Sequence, residues 1–229
     1  MKTLLIAEIG HNWVPFGFKS IESLIKLAAK AKWDIVKFQV YDTDKIKQPG
    51  DTNYDELKKG ELSFEQLKEL SEICEENNIE FLASAFDPVR VQWLERLGVK
   101  RHKLASRCIH DLATIVSMQE TGKQIIASLA NYSGPLFPDF KADWLYCKTR
   151  RQVLQDGFNH NDLVWAVENS HSGFSDHTVG NTYAKVAMIN GAKIVEKHIT
   201  LDKNAAGWDQ PSSADFDDML EIAKHNGRK

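Results

Sequence analysis

The strongest constraint on this chain is a rhythm. Short apolar runs of strand character alternate with longer stretches of helical period from one end to the other. Runs of a few residues rich in Ile, Val, Phe and Leu, too short for helices, read as strands buried on both faces, as in a parallel sheet. They fall at Leu4 to Glu8, Ile35 to Gln39, Ile79 to Ala83, His102 to Ala105, Gln124 to Ser128, Trp144 to Cys147, weakly near Ser172, and at Lys193 to Lys197. Between them, Ile21, Leu24, Ile25 and Ala28 share one helical face, as do Leu67, Leu70 and Cys74. Ser63 with Gln66 makes a capping box for the second of these helices. Further helices fit Pro88 to Leu97, Asp111 to Glu120, Thr178 to Asn190 and Ser213 to Lys224. Eight parallel strands with intervening helices close more economically into a (β/α)8 TIM barrel than they extend as a doubly wound sheet, which shares the same periodicity.

Asn131 to Lys141 holds two prolines and a glycine and is too broken for a full helix, so one barrel helix is expected to be lost after the fifth strand. At 229 residues the chain reads as one trimmed barrel domain over its whole length, since such domains usually run to about 250 residues. The tail Asn226-Gly227-Arg228-Lys229 is expected to fray. Twenty-nine Lys and Arg against 32 Asp and Glu, well interspersed, give a formal charge of -3 and no basic footprint for nucleic acid. No apolar run approaches the ~20 residues of a membrane span, and no signal-peptide pattern precedes the first strand, so a cytoplasmic protein without a membrane partner is expected. Cys74, Cys108 and Cys147 are too scattered for a cysteine zinc site or a disulfide framework.

In a parallel βα architecture ligands bind at the carboxyl ends of the strands. The polar residues there are Glu8, Lys37 with Gln39, Ser84, Lys103 with Ser106, Ser128, Lys148, Ser175 with His177, and Glu196-Lys197-His198. Alternation puts Lys37 and Gln39 on one side of a buried strand. A buried ammonium needs a carboxylate or an anionic ligand, so Lys37 and Lys103 imply either an internal pair, such as Glu8 with Lys37, or an anion site. His177 and His198, on neighbouring strands, have the placement to share a divalent metal, with Asp176 or Glu196 orienting a ring. Ser106, Ser128 and Ser175 would donate to a phosphate beside the lysines. The other histidines and Trp208 read as structural.

Taken together these segments resemble the barrel domain of the sialic acid synthase (N-acetylneuraminate synthase) family, which includes legionaminate and pseudaminate synthases. The resemblance rests on Ile6-Ala7-Glu8-Ile9-Gly10-His11-Asn12, Val36-Lys37-Phe38-Gln39, Lys103-Leu104-Ala105-Ser106, Phe174-Ser175-Asp176-His177-Thr178, Glu196-Lys197-His198 and Gly207-Trp208-Asp209, in order along the chain. It implies a synthase that joins phosphoenolpyruvate to an aldehyde acceptor, releases phosphate and makes a 2-keto sugar acid. It further implies that Lys37, Lys103, Ser106, Ser128 and Ser175 hold phosphoenolpyruvate, that His177 and His198 bind Mn2+ or Mg2+, and that Glu8, Gln39 and Asp209 lie near the acceptor, with Glu8, Lys37, Lys103 and Asp209 in catalysis. A homodimer belongs to the same implication.

Three departures concern the acceptor. The family's Lys-Ile-Ala-Ser-Gly-Glu is here Lys103-Leu104-Ala105-Ser106-Arg107-Cys108, which puts a thiol where a carboxylate is expected. The segment with family Asn and Tyr contacts to the sugar is Tyr146-Cys147-Lys148-Thr149-Arg150-Arg151, and the first loop reads Asn12-Trp13-Val14-Pro15. No antifreeze-like C-terminal domain is expected after the barrel. The expected acceptor is smaller or more anionic than the family's usual sugar, met by Lys148, Arg150 and Arg151. Two other readings fit the same residues: a pyruvate or sugar-acid aldolase on the same pocket, and a non-catalytic anion-binding pseudoenzyme.

Overall fold

A computed structural model describes residues 2–130 and 139–228. Its eight strands are all parallel and close on themselves in sequence order. They are β1 (Leu4–Glu8), β2 (Ile35–Val40), β3 (Glu80–Ala85), β4 (Arg101–Leu104), β5 (Gln124–Leu129), β6 (Asp143–Cys147), β7 (Gly173–Asp176) and β8 (Ile194–His198). Closure of β8 onto β1, with Leu4 opposite Ile194 and Glu8 opposite His198, decides for the barrel over the open sheet. β7 is weak in sequence partly because it opens on Gly173, where a Cβ would lie 1.8 Å from the carbonyl oxygen of Ile194.

The helices are α1 (Ser20–Lys30), α2 (Thr43–Ile46), α3 (Tyr54–Lys59), α4 (Phe64–Glu76), α5 (Pro88–Arg96), α6 (Leu112–Glu120), α7 (Arg150–Asp156), α8 (His160–Asn169), α9 (Thr182–Ile189) and α10 (Phe216–His225). Ser63 and Gln66 form the expected capping box on α4. Two expected helices begin later than their periodicity suggests. Gly180, with φ at +76°, breaks the stretch before α9, and the capping box of Asp215 with Asp218 starts α10 three residues after Ser213. Residues 131–138, where most of the lost helix was placed, lie outside the described residues. The tail is a correction. Asn226 accepts a hydrogen bond from the Thr3 amide at 2.9 Å and donates to the Thr3 carbonyl at 2.7 Å, while Arg228 pairs with Asp34 at 2.5 Å. These contacts clasp the end of the chain to the residues that lead into β1 and β2.

Period-2 alternation sorts the strand residues into two cores. Outward residues such as Leu5, Ala7, Val36, Phe38, Ala83, Ala127, Phe174 and Val195 pack under the helices. Inward, Ile6, Ile35, Leu82, Ile126, Leu145 and Ile194 form a separate apolar plug. Two residues further along the same strands, pointing the same way, come Glu8, Lys37, Ser84, Ser128, Cys147 and Glu196. The plug is thus the floor of a polar layer.

Candidate active site at the carboxyl ends of the strands

That polar layer opens into a cavity of about 530 Å3. Glu8, Lys37, Gln39, Lys103, Ser106, Ser128, Ser175, His177, His198 and Asp209 line it. Glu196, Ser84, Trp208 and three arginines line it with them. Gly10, with φ at +50°, keeps one wall open. A Cβ there would stand 3.1 Å from both Glu8 Oε1 and His198 Cε1 and 3.2 Å from Gln39 Nε2.

The expected pair of Glu8 with Lys37 is present, at 2.6 Å. Lys37 also donates to Ser84 Oγ at 3.1 Å, and Gln39 donates to Glu8 at 2.7 Å. Lys103 donates to Ser128 Oγ at 2.8 Å and to the Leu104 carbonyl at 3.1 Å. Glu196 lies between the two lysines, 3.7 Å from Lys37 and 3.9 Å from Lys103, and accepts from Ser175 at 3.1 Å. Burial works against charge on Lys37, yet Glu196 and Glu8 outweigh it and raise its pKa. Lys103 has weaker partners, so burial prevails and its pKa falls. Glu196 is held below the usual carboxylate range because Lys103 and Lys37 together overcome its burial. The floor is therefore a compensated set of charges whose members are not fully hydrogen-bonded. Among the described residues Glu196 Oε2 is buried without a hydrogen-bond partner.

Above it, one donor atom from each of His177, His198 and Asp209 lies within 4.8 Å of the others, and the two rings are 5.2 Å apart. Burial, and then the neighbouring His198, push the His177 pKa down to about 4, so this imidazole is neutral at neutral pH with a lone pair to offer. Two imidazoles and a carboxylate are a fitting donor set for a divalent transition metal or Mg2+. Among the described residues Nδ1 of each ring is buried without a partner, which corrects the expectation that Asp176 or Glu196 orients a ring. Asp176 is one residue out of phase with His177 and faces away from the cavity, paired with Lys197 at 2.9 Å. Glu196 is engaged by Ser175 and the lysines.

Cys108 is buried among apolar side chains and burial raises its pKa to about 11, so the thiol offers no acid–base group near neutral pH. Lys148 is also a correction, for it turns from the cavity and donates to the Gly157 carbonyl at 2.8 Å. Trp208 is not packing. It is 60% exposed and separates this cavity from an adjoining one of about 660 Å3 lined by His11, Asn12 and Asp209. His11, set aside in sequence, contacts the Tyr41 hydroxyl there, and burial lowers its pKa. Neither residue follows a strand pattern, and only loop packing brings them to the mouth.

A closed (β/α)8 barrel with an anion-suited floor and a His-His-Asp cluster at its carboxyl face defines the class of protein. The NeuB family model matches residues 24–131 and 164–227, and the chain belongs to that family as a divergent, sialic-acid-synthase-like enzyme. It is 31% identical to N,N'-diacetyllegionaminic acid synthase of Campylobacter jejuni, over 93% of this chain and 72% of the relative. It is 30% identical to an uncharacterized protein of Methanocaldococcus jannaschii, over 97% of this chain and 69% of the relative. The crystal structure of N-acetylneuraminic acid synthetase from Leptospira borgpetersenii, at 24% identity, shares the fold with a TM-score of 0.86 over 99% of this chain and 83% of that one.

Proposed function

We propose that the chain condenses phosphoenolpyruvate with an aldehyde acceptor to give a 2-keto sugar acid and inorganic phosphate. One observation carries this reading: the cavity joins a floor of two buried lysines and three serines to a His-His-Asp cluster. Phosphoenolpyruvate brings a carboxylate and a phosphate to Lys37, Lys103, Ser106, Ser128 and Ser175. Its arrival gives Lys103, which has the weaker internal partners, the anion that favours its charged form. Glu8, held by Lys37 and Gln39, keeps the ammonium fixed and leaves Gln39 facing the space for the acceptor. His177, His198 and Asp209 would hold Mn2+ or Mg2+, which supplies Lewis-acid polarisation of the acceptor carbonyl. In the balance of the reaction, C3 of the enol bonds to the aldehyde carbon, water supplies oxygen to C2, and phosphate departs. The protein's share is to align these partners and exclude bulk water.

The test is titration of phosphoenolpyruvate into the protein with and without Mn2+, beside the His198→Ala variant, followed by phosphate-release assays with aldehydes. Phosphoenolpyruvate binding that Mn2+ tightens, the gain lost in the variant, and phosphate released only when an aldehyde is present, is the expected result. Turnover of pyruvate without phosphate would assign the site to an aldolase. Absence of phosphoenolpyruvate binding under every condition would end the synthase reading.

A further inference from the structure

Three guanidiniums stand over the cavity, and among the described residues no carboxylate pairs with them. Arg107 follows β4, while Arg150 and Arg151 open α7 directly after β6. Other arginines of the chain are engaged: Arg90 lies 3.1 Å from Asp87, Arg101 2.7 Å from Glu80, and Arg96 sits over the ring of Phe64. Among the described residues, no carboxylate forms an ion pair with Arg107, Arg150 or Arg151, and Arg107 lies 5.8 Å from the centre of the Phe86 ring. Three like charges at one opening repel each other, and a fold that leaves them uncompensated is arranged for an anion that arrives from outside.

The position of that anion follows from depth. Lys37 and Lys103 lie at the floor, 3% and 1% exposed, whereas Arg150 is half-buried and Arg107 and Arg151 are exposed at the rim. A first substrate held at the floor satisfies the lysines and serines and leaves the guanidiniums for whatever enters after it. We propose that Arg150 and Arg151, with Arg107 two strands away, bind a phosphate or carboxylate carried by the aldehyde acceptor, so that the acceptor is an acidic aldose. This inference rests on the phosphoenolpyruvate reading given above. The planar fork of arginine matches either anion in bidentate fashion.

The experiment titrates mannose, mannose 6-phosphate and mannuronate into metal-free protein, which prevents turnover, after saturation with phosphoenolpyruvate. The same titrations are made on Arg150→Gln/Arg151→Gln and on Arg150→Lys/Arg151→Lys, and phosphoenolpyruvate affinity is measured separately for each. The native protein should bind at least one acidic sugar about tenfold more tightly than mannose, and which one identifies the anion. That ratio should collapse to within about twofold in the glutamine pair and recover in part in the lysine pair, with phosphoenolpyruvate affinity unchanged. A native ratio near one overturns the proposal, as does a ratio that survives the glutamine pair. A parallel loss of phosphoenolpyruvate affinity also overturns it, because the arginines would then serve that substrate's phosphate. If phosphoenolpyruvate fails to bind the native protein, the earlier reading falls, and the sugar titrations, run without it, still decide whether the arginines discriminate. Should the glutamine pair not fold, Arg151→Gln alone, at an exposed position, gives the same comparison.

Discussion

β7 and β8 carry two buried polar clusters, one on each face, built from neighbouring residues. On the outer face Lys197 donates to Asp176 at 2.9 Å and to the Thr178 carbonyl at 2.9 Å, while Asp176 also accepts from the Thr178 amide and hydroxyl at 2.8 and 2.7 Å. On the inner face Glu196 Oε2, His177 Nδ1 and His198 Nδ1 are buried and have no hydrogen-bond partner among the described residues. The first cluster is complete and fastens a loop to the barrel. The second leaves polar atoms unsatisfied. A single-residue change of phase separates them, and the contrast shows that burial of charge marks a site only where the partners are missing.

Breaking each cluster should have opposite signatures. Asp176→Asn or Lys197→Met leaves an uncompensated buried charge and should destabilise the fold by about 3–5 kcal/mol in denaturant unfolding. His177→Ala or His198→Ala should cost less than about 1 kcal/mol of stability, because these rings carry unsatisfied groups whose removal relieves the apo protein. The same variants should lower turnover about a hundredfold or more, equivalent to about 2.7 kcal/mol, with loss of metal binding by calorimetry. Equal stability losses in the two sets would erase the distinction.

The clasp at the chain's end is a smaller case of a complete cluster. Asn226→Ala removes two hydrogen bonds to Thr3 and should cost about 1–2 kcal/mol, read from the thermal midpoint. A shift within error would mean the tail contributes nothing. Acidification supplies the mildest probe. His102 is fully buried in β4, and burial lowers its pKa even though Glu95 lies 2.9 Å away and works in the other direction; burial lowers that of His171 as well. With the folded pKa values below the unfolded one, the unfolded chain binds more protons in the interval between them. The stability is complete above about pH 6.5 and declines as pH falls toward the folded values. The thermal midpoint should therefore drop from pH 7 to pH 5, and His102→Gln should flatten the drop.

Much of this was legible in the linear chain. Alternation in Val36-Lys37-Phe38-Gln39 put a lysine and a glutamine on one face of a buried strand, and both line the cavity. The same parity argument, applied to Asp176 beside His177, turns that carboxylate outward. Trp208, His11 and the outward turn of Lys148 were not legible. They lie in or at the edge of loops, where no period constrains direction and contacts distant in sequence decide it.

By itself the sequence determined eight strands, their inward and outward faces, and the polar residues at their carboxyl ends, because periodicity and burial are local properties of a strand. Tertiary structure alone decided that β8 closes onto β1, that Glu196 stands between two lysines from other strands, and that Asp209 joins His177 and His198. It also decided that three arginines, one following β4 and two opening α7, share one opening. These are meetings of residues far apart in the chain, and their geometry is set by closure of the barrel and the packing of its loops, which no local pattern encodes.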